Sequence, residues 1–167
     1  MATRKRIVTK IGDVFCAVIE GRYKMYFQYI CSDRSALNSS MIRVFKTKYD
    51  LQDTPSLEEV VKDEVMFYAH TVLRAGIENG SWEKVGKVPF DEPVRILFKT
   101  DNVYVDFAPF NWRIWYCNEP AMEIVGPIPA EYRHAEWGEV FPPFYITDRM
   151  RDGRYKGAIY DPGPLYN

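Results

Sequence analysis

Two histidines and three cysteines leave this chain short of the parts from which most active sites are built. Gly-x-Gly-x-x-Gly, the phosphate-binding Gly-x-x-x-x-Gly-Lys-Ser/Thr, His-Glu-x-x-His and Gly-x-Ser-x-Gly are all absent. The usual handles for nucleotide, zinc-protease and hydrolase chemistry go with them. Cys16, Cys31 and Cys117 are an odd number at wide spacings inside apolar runs, without a Cys-x-x-Cys pair. They read as reduced core thiols, not as a disulfide or a metal site. No apolar run approaches the roughly eighteen residues a membrane helix requires. The basic N-terminal residues are not followed by the apolar segment of a signal peptide, so the cytoplasm is the expected location. No catalytic residue, cofactor or metal ligand is expected, and no membrane.

What is present suits a soluble globular domain: 167 residues, 47% hydrophobic and 27% charged, rich in Tyr and Phe, a composition that favours sheet over bundle. The net charge of −1 hides a division. Residues 1–49 carry ten Lys/Arg against three Asp/Glu, while residues 50–167 carry twelve against twenty. The steepest acidic stretch holds Asp50, Asp53, Glu58, Glu59, Asp63 and Glu64 against Lys62, and carboxylates opening a helix complement its macrodipole.

That stretch leads into PSLEEVVKDEVMFYAHTVLRAG, Pro55 to Gly76, which the pattern predicts to be one long helix. Ser56 and Glu59 have capping-box spacing, and Leu57, Val61, Val65, Tyr68, Val72 and Ala75 fall within an arc of roughly 80°. Glu59, Asp63, His70 and Arg74 form its polar strip. Glu64 lies beside the apolar arc, so it is expected to be buried against Tyr68 or an arginine such as Arg43. Glu64, Tyr68, His70 and Arg74 are thus structural polar candidates, with His70 a hydrogen-bonding group.

Around this helix the chain reads as strands. They are Arg4 to Thr9, a hairpin of Asp13 to Glu20 and Arg22 to Cys31 turning at Glu20-Gly21, Ser40 to Lys46, then Ser81 to Val88. A meander through Val94 to Phe98, Val103 to Phe107, Trp112 to Cys117 and Met122 to Val125 follows. Residues 126–144, with four prolines, read as a covering loop with a short edge strand at Glu139 to Phe141. Tyr145 to Arg151 forms one helical turn closed at Asp152-Gly153. The expectation is one α+β domain over 1–155, a bent antiparallel sheet approaching a partly open SH3-like barrel packed on one long helix, with a loosely ordered tail, 156–167.

Three other functions have some basis in the residues. Arg4, Lys5, Arg6, Lys10, Arg22, Lys24, Arg43, Lys46 and Lys48, with Tyr26 as a stacking platform, would make a nucleic-acid-binding barrel. Against it stand the charged solvent faces that strands ordinarily carry, so nucleic acid is not the expected partner. A small enzyme would need a deep polar pocket holding His70 or His134 with a second titratable group. Tyr104, Trp112, Trp115 and Tyr116 could line a peptide or carbohydrate groove, although aromatics at strand spacing usually form core pairs.

KIGDVFCAVIEGRYKMYFQYI from Lys10 to Ile30, SSMIRVFK from Ser39, and DEVMFYAHTVLRAGIENGSWEKVG from Asp63 to Gly86 resemble the immunity protein 26 family of bacterial polymorphic-toxin systems. Gly12-Asp13-Val14-Phe15 echoes the family's opening strand and Gly21 its hairpin turn. EWGEVFPPFYITDRMRDGRY, Glu136 to Tyr155, resembles its ending. The resemblance implies a non-catalytic protein that binds and neutralises a cognate toxin, many such toxins being basic nucleases. An acidic surface of Asp50, Asp53, Glu58, Glu59 and Asp63 would steer association, with Tyr104 and Trp115 as aromatic anchors. It implies neither catalytic residues nor an oligomeric state.

Overall fold

The fold is that of a computed structural model describing residues 6–101 and 111–154. It is α+β, built mainly of strands arranged in two open sheets. Strands β1 (Asp13–Ile19) and β2 (Tyr23–Asp33) form the expected hairpin. Glu20 (φ 51°) and Gly21 (φ 66°) both turn left-handed, the backbone that matches the twist of paired strands. β3 (Ser39–Phe45) continues the antiparallel ladder on β2.

The long helix is not formed. Pro55 to Gly76 divides into a four-residue α1 (Leu57–Val60), strand β4 (Val65–Thr71) and α2 (Leu73–Glu78). Val65, Phe67, Ala69 and Thr71 repeat with period two in a β-branched and aromatic run, and β4 lies between β3 and a later strand. β4 is covered on both faces, with Phe67 and Ala69 buried on one and His70 on the other, so it lacks the polar–apolar alternation of a half-buried strand. The capping box also fails: Ser56 makes no side-chain cap, and its hydroxyl donates to Glu58 Oε2 at 2.9 Å.

β5 (Glu83–Lys87) pairs with β1, and β6 (Leu97–Asp101), β7 (Asn111–Tyr116) and β8 (Met122–Val125) form a second meander. The expected covering loop is more regular than its prolines suggested. It contains a 3-10 turn (Ala130–Tyr132), β9 (Glu136–Trp137) and β10 (Val140–Phe141), and leads to α3 (Pro143–Asp152). Gly153 closes α3 in the left-handed conformation, φ 76°.

The six-stranded sheet runs β10-β4-β3-β2-β1-β5 and the four-stranded sheet β8-β7-β6-β9. Both are antiparallel except at one pairing each: β10 runs parallel to β4, and β9 parallel to β6. This replaces the expected single curled sheet and SH3-like barrel, because the strands divide between two open sheets. Gly138, between β9 and β10, sits where a Cβ would overlap the Trp115 indole, so a bare backbone is needed there.

The main core joins the six-stranded sheet to α2, α3 and the second sheet, with Phe15 stacked on Phe27 at 5.0 Å and Trp82 edge-on to Phe27 at 5.0 Å. A second cluster of Ile30, Cys31, Met41, Phe98, Trp115 and Cys117 spans the two sheets. The third, Val14, Cys16, Tyr26, Phe45 and Val60, lies under the segment that carries α1. Arg6 to Thr9 is not in a strand. Arg4, Lys5, Tyr104, the predicted strand Val103 to Phe107 and the tail 156–167 lie outside the described residues.

Candidate functional site

The acidic residues singled out above come together in the segment between β3 and β4. Thr47 N–H and Glu64 N–H donate to the two oxygens of Asp63, at 2.8 and 2.7 Å, so this carboxylate closes both ends of the excursion. Asp53 Oδ2 accepts from Asp50 N–H at 3.0 Å, and Tyr49 exchanges backbone hydrogen bonds with Lys24 of β2. Tyr49 packs edge-on to Tyr26 at 5.3 Å. Burial, then the negative charges of Asp63, Asp53 and Glu59, push its hydroxyl pKa up, which marks these carboxylates as neighbours. Asp50, Asp53, Glu58 and Glu59 are exposed, whereas Asp63 is half-buried because it is spent on backbone donors.

Glu64 departs from expectation. It precedes β4 instead of lying on a helix, its side chain is 71% exposed, and its partner is Lys46 at 2.5 Å. Exposed pairs contribute little, so Glu64→Gln should move stability by less than about 0.5 kcal/mol; a larger shift in the urea midpoint would refute this placement. Arg43 is engaged elsewhere, donating from Nε and Nη2 to Gln28 Oε1 at 3.1 and 2.8 Å. Gln28 in turn donates to the carbonyls of Gly12 and Val88. Arg74 lies on α2, paired with Glu78 at 2.8 Å.

Trp115, expected as an exposed anchor, is 2% exposed. Its indole N–H donates to Asp33 Oδ2 at 3.1 Å, and the same oxygen lies 2.9 Å from His70 Nε2. His70 is on β4 rather than a helix, its partner is Asp33, and both side chains are fully buried. Asp33 Oδ1 accepts from Ser35 N–H, Ser35 Oγ–H and Ala36 N–H. Burial pushes the Asp33 carboxyl pKa up, but the donors of Ser35, Trp115 and His70 outweigh it and hold the carboxyl below its ordinary value. Burial lowers the His70 pKa against the opposing pull of Asp33. The Asp33 carboxylate only accepts, so the proton between the two side chains is assigned to Nε2. Asp33 lies beyond Cys31, where the sequence predicts the strand to end, and a lone acid closing an apolar strand is the one signal that marks it.

Between the sheets lies a cleft of about 350 Å³ lined by Tyr68, Arg95, Ile96, Leu97, Tyr116, His134 and Glu136. Arg95 stacks over Tyr116 at 4.0 Å and pairs with Glu119 at 2.9 Å. Glu136 accepts from Tyr68 N–H through Oε1 at 3.3 Å and from Arg149 Nη2 through Oε2 at 2.9 Å. A carboxylate so engaged ties β4 and α3 to β9. His134 thus shares a polar cleft with a second titratable group, while His70 does not line it. Among the described residues no group of three His, Cys, Asp or Glu side chains is placed to hold a metal.

The basic strands give no stacking platform at the expected place. Tyr26 is 5% exposed, Lys24 Nζ donates to the Asp53 carbonyl, and Lys48 lies over Tyr23 at 4.7 Å. Among the described residues no helix is long and apolar enough to cross a membrane.

The profile of the immunity protein 26 family matches residues 10–103. Neither a curated protein nor a solved structure matches the chain. The match takes in the Gly12 clasp, where Val88 N–H and Gln28 Nε2 both donate to the Gly12 carbonyl, and all of β1 to β6 up to Asp101. Spanning more than half of the sequence, it shows that this chain belongs to the immunity protein 26 family.

Proposed function

We propose that the protein binds a cognate bacterial toxin in the cytoplasm and neutralises it by occlusion, with no chemistry of its own. The family is generally non-catalytic and implies a toxin as partner. The observation that carries the choice of surface is the exposed acidic excursion between β3 and β4, anchored by Asp63 at both ends and backed by a six-stranded sheet. A rigid, negatively charged surface suits a basic partner, and a nuclease that grips phosphates is the kind of toxin it would match. Complementary fields of this sort act mostly on the rate of association. Asp50, Asp53, Glu58, Glu59 and Asp63 are the proposed contacts, and Tyr104 remains a proposed aromatic anchor.

The test separates binding from folding. Asp53 and Asp63 hold backbone donors, whereas Asp50, Glu58 and Glu59 are exposed and can be reversed with less harm. The triple variant Asp50→Lys, Glu58→Lys, Glu59→Lys is expected to slow association with the toxin encoded by the adjacent gene by roughly ten- to a hundredfold at low salt. The difference should shrink as salt rises, and co-expressed cells should lose protection while the melting curve stays in place. Full protection with an unchanged association rate would remove this surface from the interface.

A further inference from the structure

Beyond toxin binding, the contact between the two sheets contains a thiol pair. Cys31 is in β2 of the six-stranded sheet, and Cys117 directly follows β7 of the four-stranded sheet. Their Sγ atoms are 2.6 Å apart. A disulfide bond is ~2.05 Å long and non-bonded carbon atoms, smaller than sulfur, rest roughly 3.5–4.0 Å apart. The pair therefore sits inside the distance at which two thiols rest. The backbone turn beside it is held in place: Asn118, at φ 63°, donates from Nδ2 to Cys31 Sγ at 3.3 Å and accepts Arg34 N–H on Oδ1 at 2.9 Å. The segment after β7 is thus fastened to the end of β2 whether or not the sulfurs bond. Cys31 and Cys117 are 8% and 6% exposed, beneath the exposed Asn118.

We infer that Cys31 and Cys117 are a site of reversible oxidation, forming an intramolecular disulfide that staples the two sheets together. The oxidant is a hydroperoxide. The Cys31 thiolate attacks the peroxide oxygen, the O–O bond breaks, and Cys31 becomes a sulfenic acid as hydroxide leaves and takes up a proton. Cys117 then attacks the Cys31 sulfur, the S–O bond breaks, and the departing hydroxide leaves as water with the Cys117 proton. Two thiols lose two electrons, and hydrogen peroxide is reduced to two waters. The order follows from the surroundings. Asn118 Nδ2 donates to Cys31 Sγ, which favours the thiolate there, whereas burial disfavours the thiolate of Cys117. Cys16 has no second thiol beside it; it is buried, and desolvation raises its pKa against a hydrogen bond with Tyr26.

The full-length protein, reduced and freed of reductant, is treated with hydrogen peroxide alone. The expected result is a faster band on a non-reducing gel, reversed by dithiothreitol, and one cross-linked peptide pair joining Cys31 to Cys117. Closing so long a loop should raise the melting temperature by roughly 5–15 °C. Cys31→Ser and Cys117→Ser should each abolish the faster band, and Cys16→Ser should keep it. Where a serine variant does not fold, the peptide map of the oxidised wild-type protein decides alone. A link through Cys16, covalent dimers in place of the internal bond, or Cys31 and Cys117 both still open to alkylation after peroxide would overturn the assignment.

Discussion

Replacing Asp33 by Ala is expected to cost about 3–5 kcal/mol of folding stability, read as a lower urea midpoint at neutral pH with little change in slope. Asp33 is fully buried and accepts from His70, Trp115, Ser35 and Ala36. Those donors come from both sheets, and each one stranded without water costs roughly 1–3 kcal/mol before relaxation. Asp33→Asn, which keeps the shape, should cost less. The pH profile provides an independent check. The folded Asp33 pKa lies below the ordinary 3.8, so its contribution is complete above that value and is lost as pH falls through the lower, folded value. The folded His70 pKa lies below 6.5, so the unfolded chain takes up the proton first and stability starts to fall as pH drops below about 6.5. Stability, read as the urea midpoint, should therefore fall in two pH windows, one below about 6.5 and one below 3.8, and His70→Gln should remove the upper one. A loss under about 1 kcal/mol for Asp33→Ala would mean that the buried carboxylate is not the hub it is drawn to be.

Arg149→Ala should cost about 2–4 kcal/mol. The guanidinium lies 4.2 Å over the Phe67 ring of β4 and donates to Glu136 at 2.9 Å, and Arg149 is buried. Removal takes away the stacked plane and leaves one oxygen of a largely buried carboxylate short of its donor. Arg149→Lys should recover only part of the loss, because an ammonium cannot both lie flat on Phe67 and reach Glu136. Equal stability of the Lys variant and the wild type in thermal unfolding would show that charge alone, not planar geometry, holds α3 in place.

Local signals read well where they were truly local. The Glu20-Gly21 turn, the alternation of β2 and the glycine that closes α3 all need only adjacent residues. The stretch from Pro55 to Gly76 misled because the six positions of its supposed stripe include only two, Val65 and Tyr68, from what is really β4. Within Val65–Thr71 the competing period-two pattern is present, but β4 is covered on both faces and so carries little contrast. Glu64 and His70 were then assigned surroundings proper to a helix. Asp33 meets His70 across 37 residues and Trp115 across 82, and no spacing rule reaches that far. The acidic excursion was legible because its residues are neighbours in sequence, and Asp63 keeps them so in space.

The two parallel pairings, β9 on β6 and β10 on β4, fall within six consecutive residues on either side of Gly138. This short length of chain is the seam between the sheets, and the chain supplies it only in its final fifth. On the ribosome the strands up to β8 emerge with two bare borders, open to mispairing, until the seam arrives. A chain cut short before Glu136 would leave β4 and β6 each with an unpaired border, the kind of edge that recruits a foreign strand.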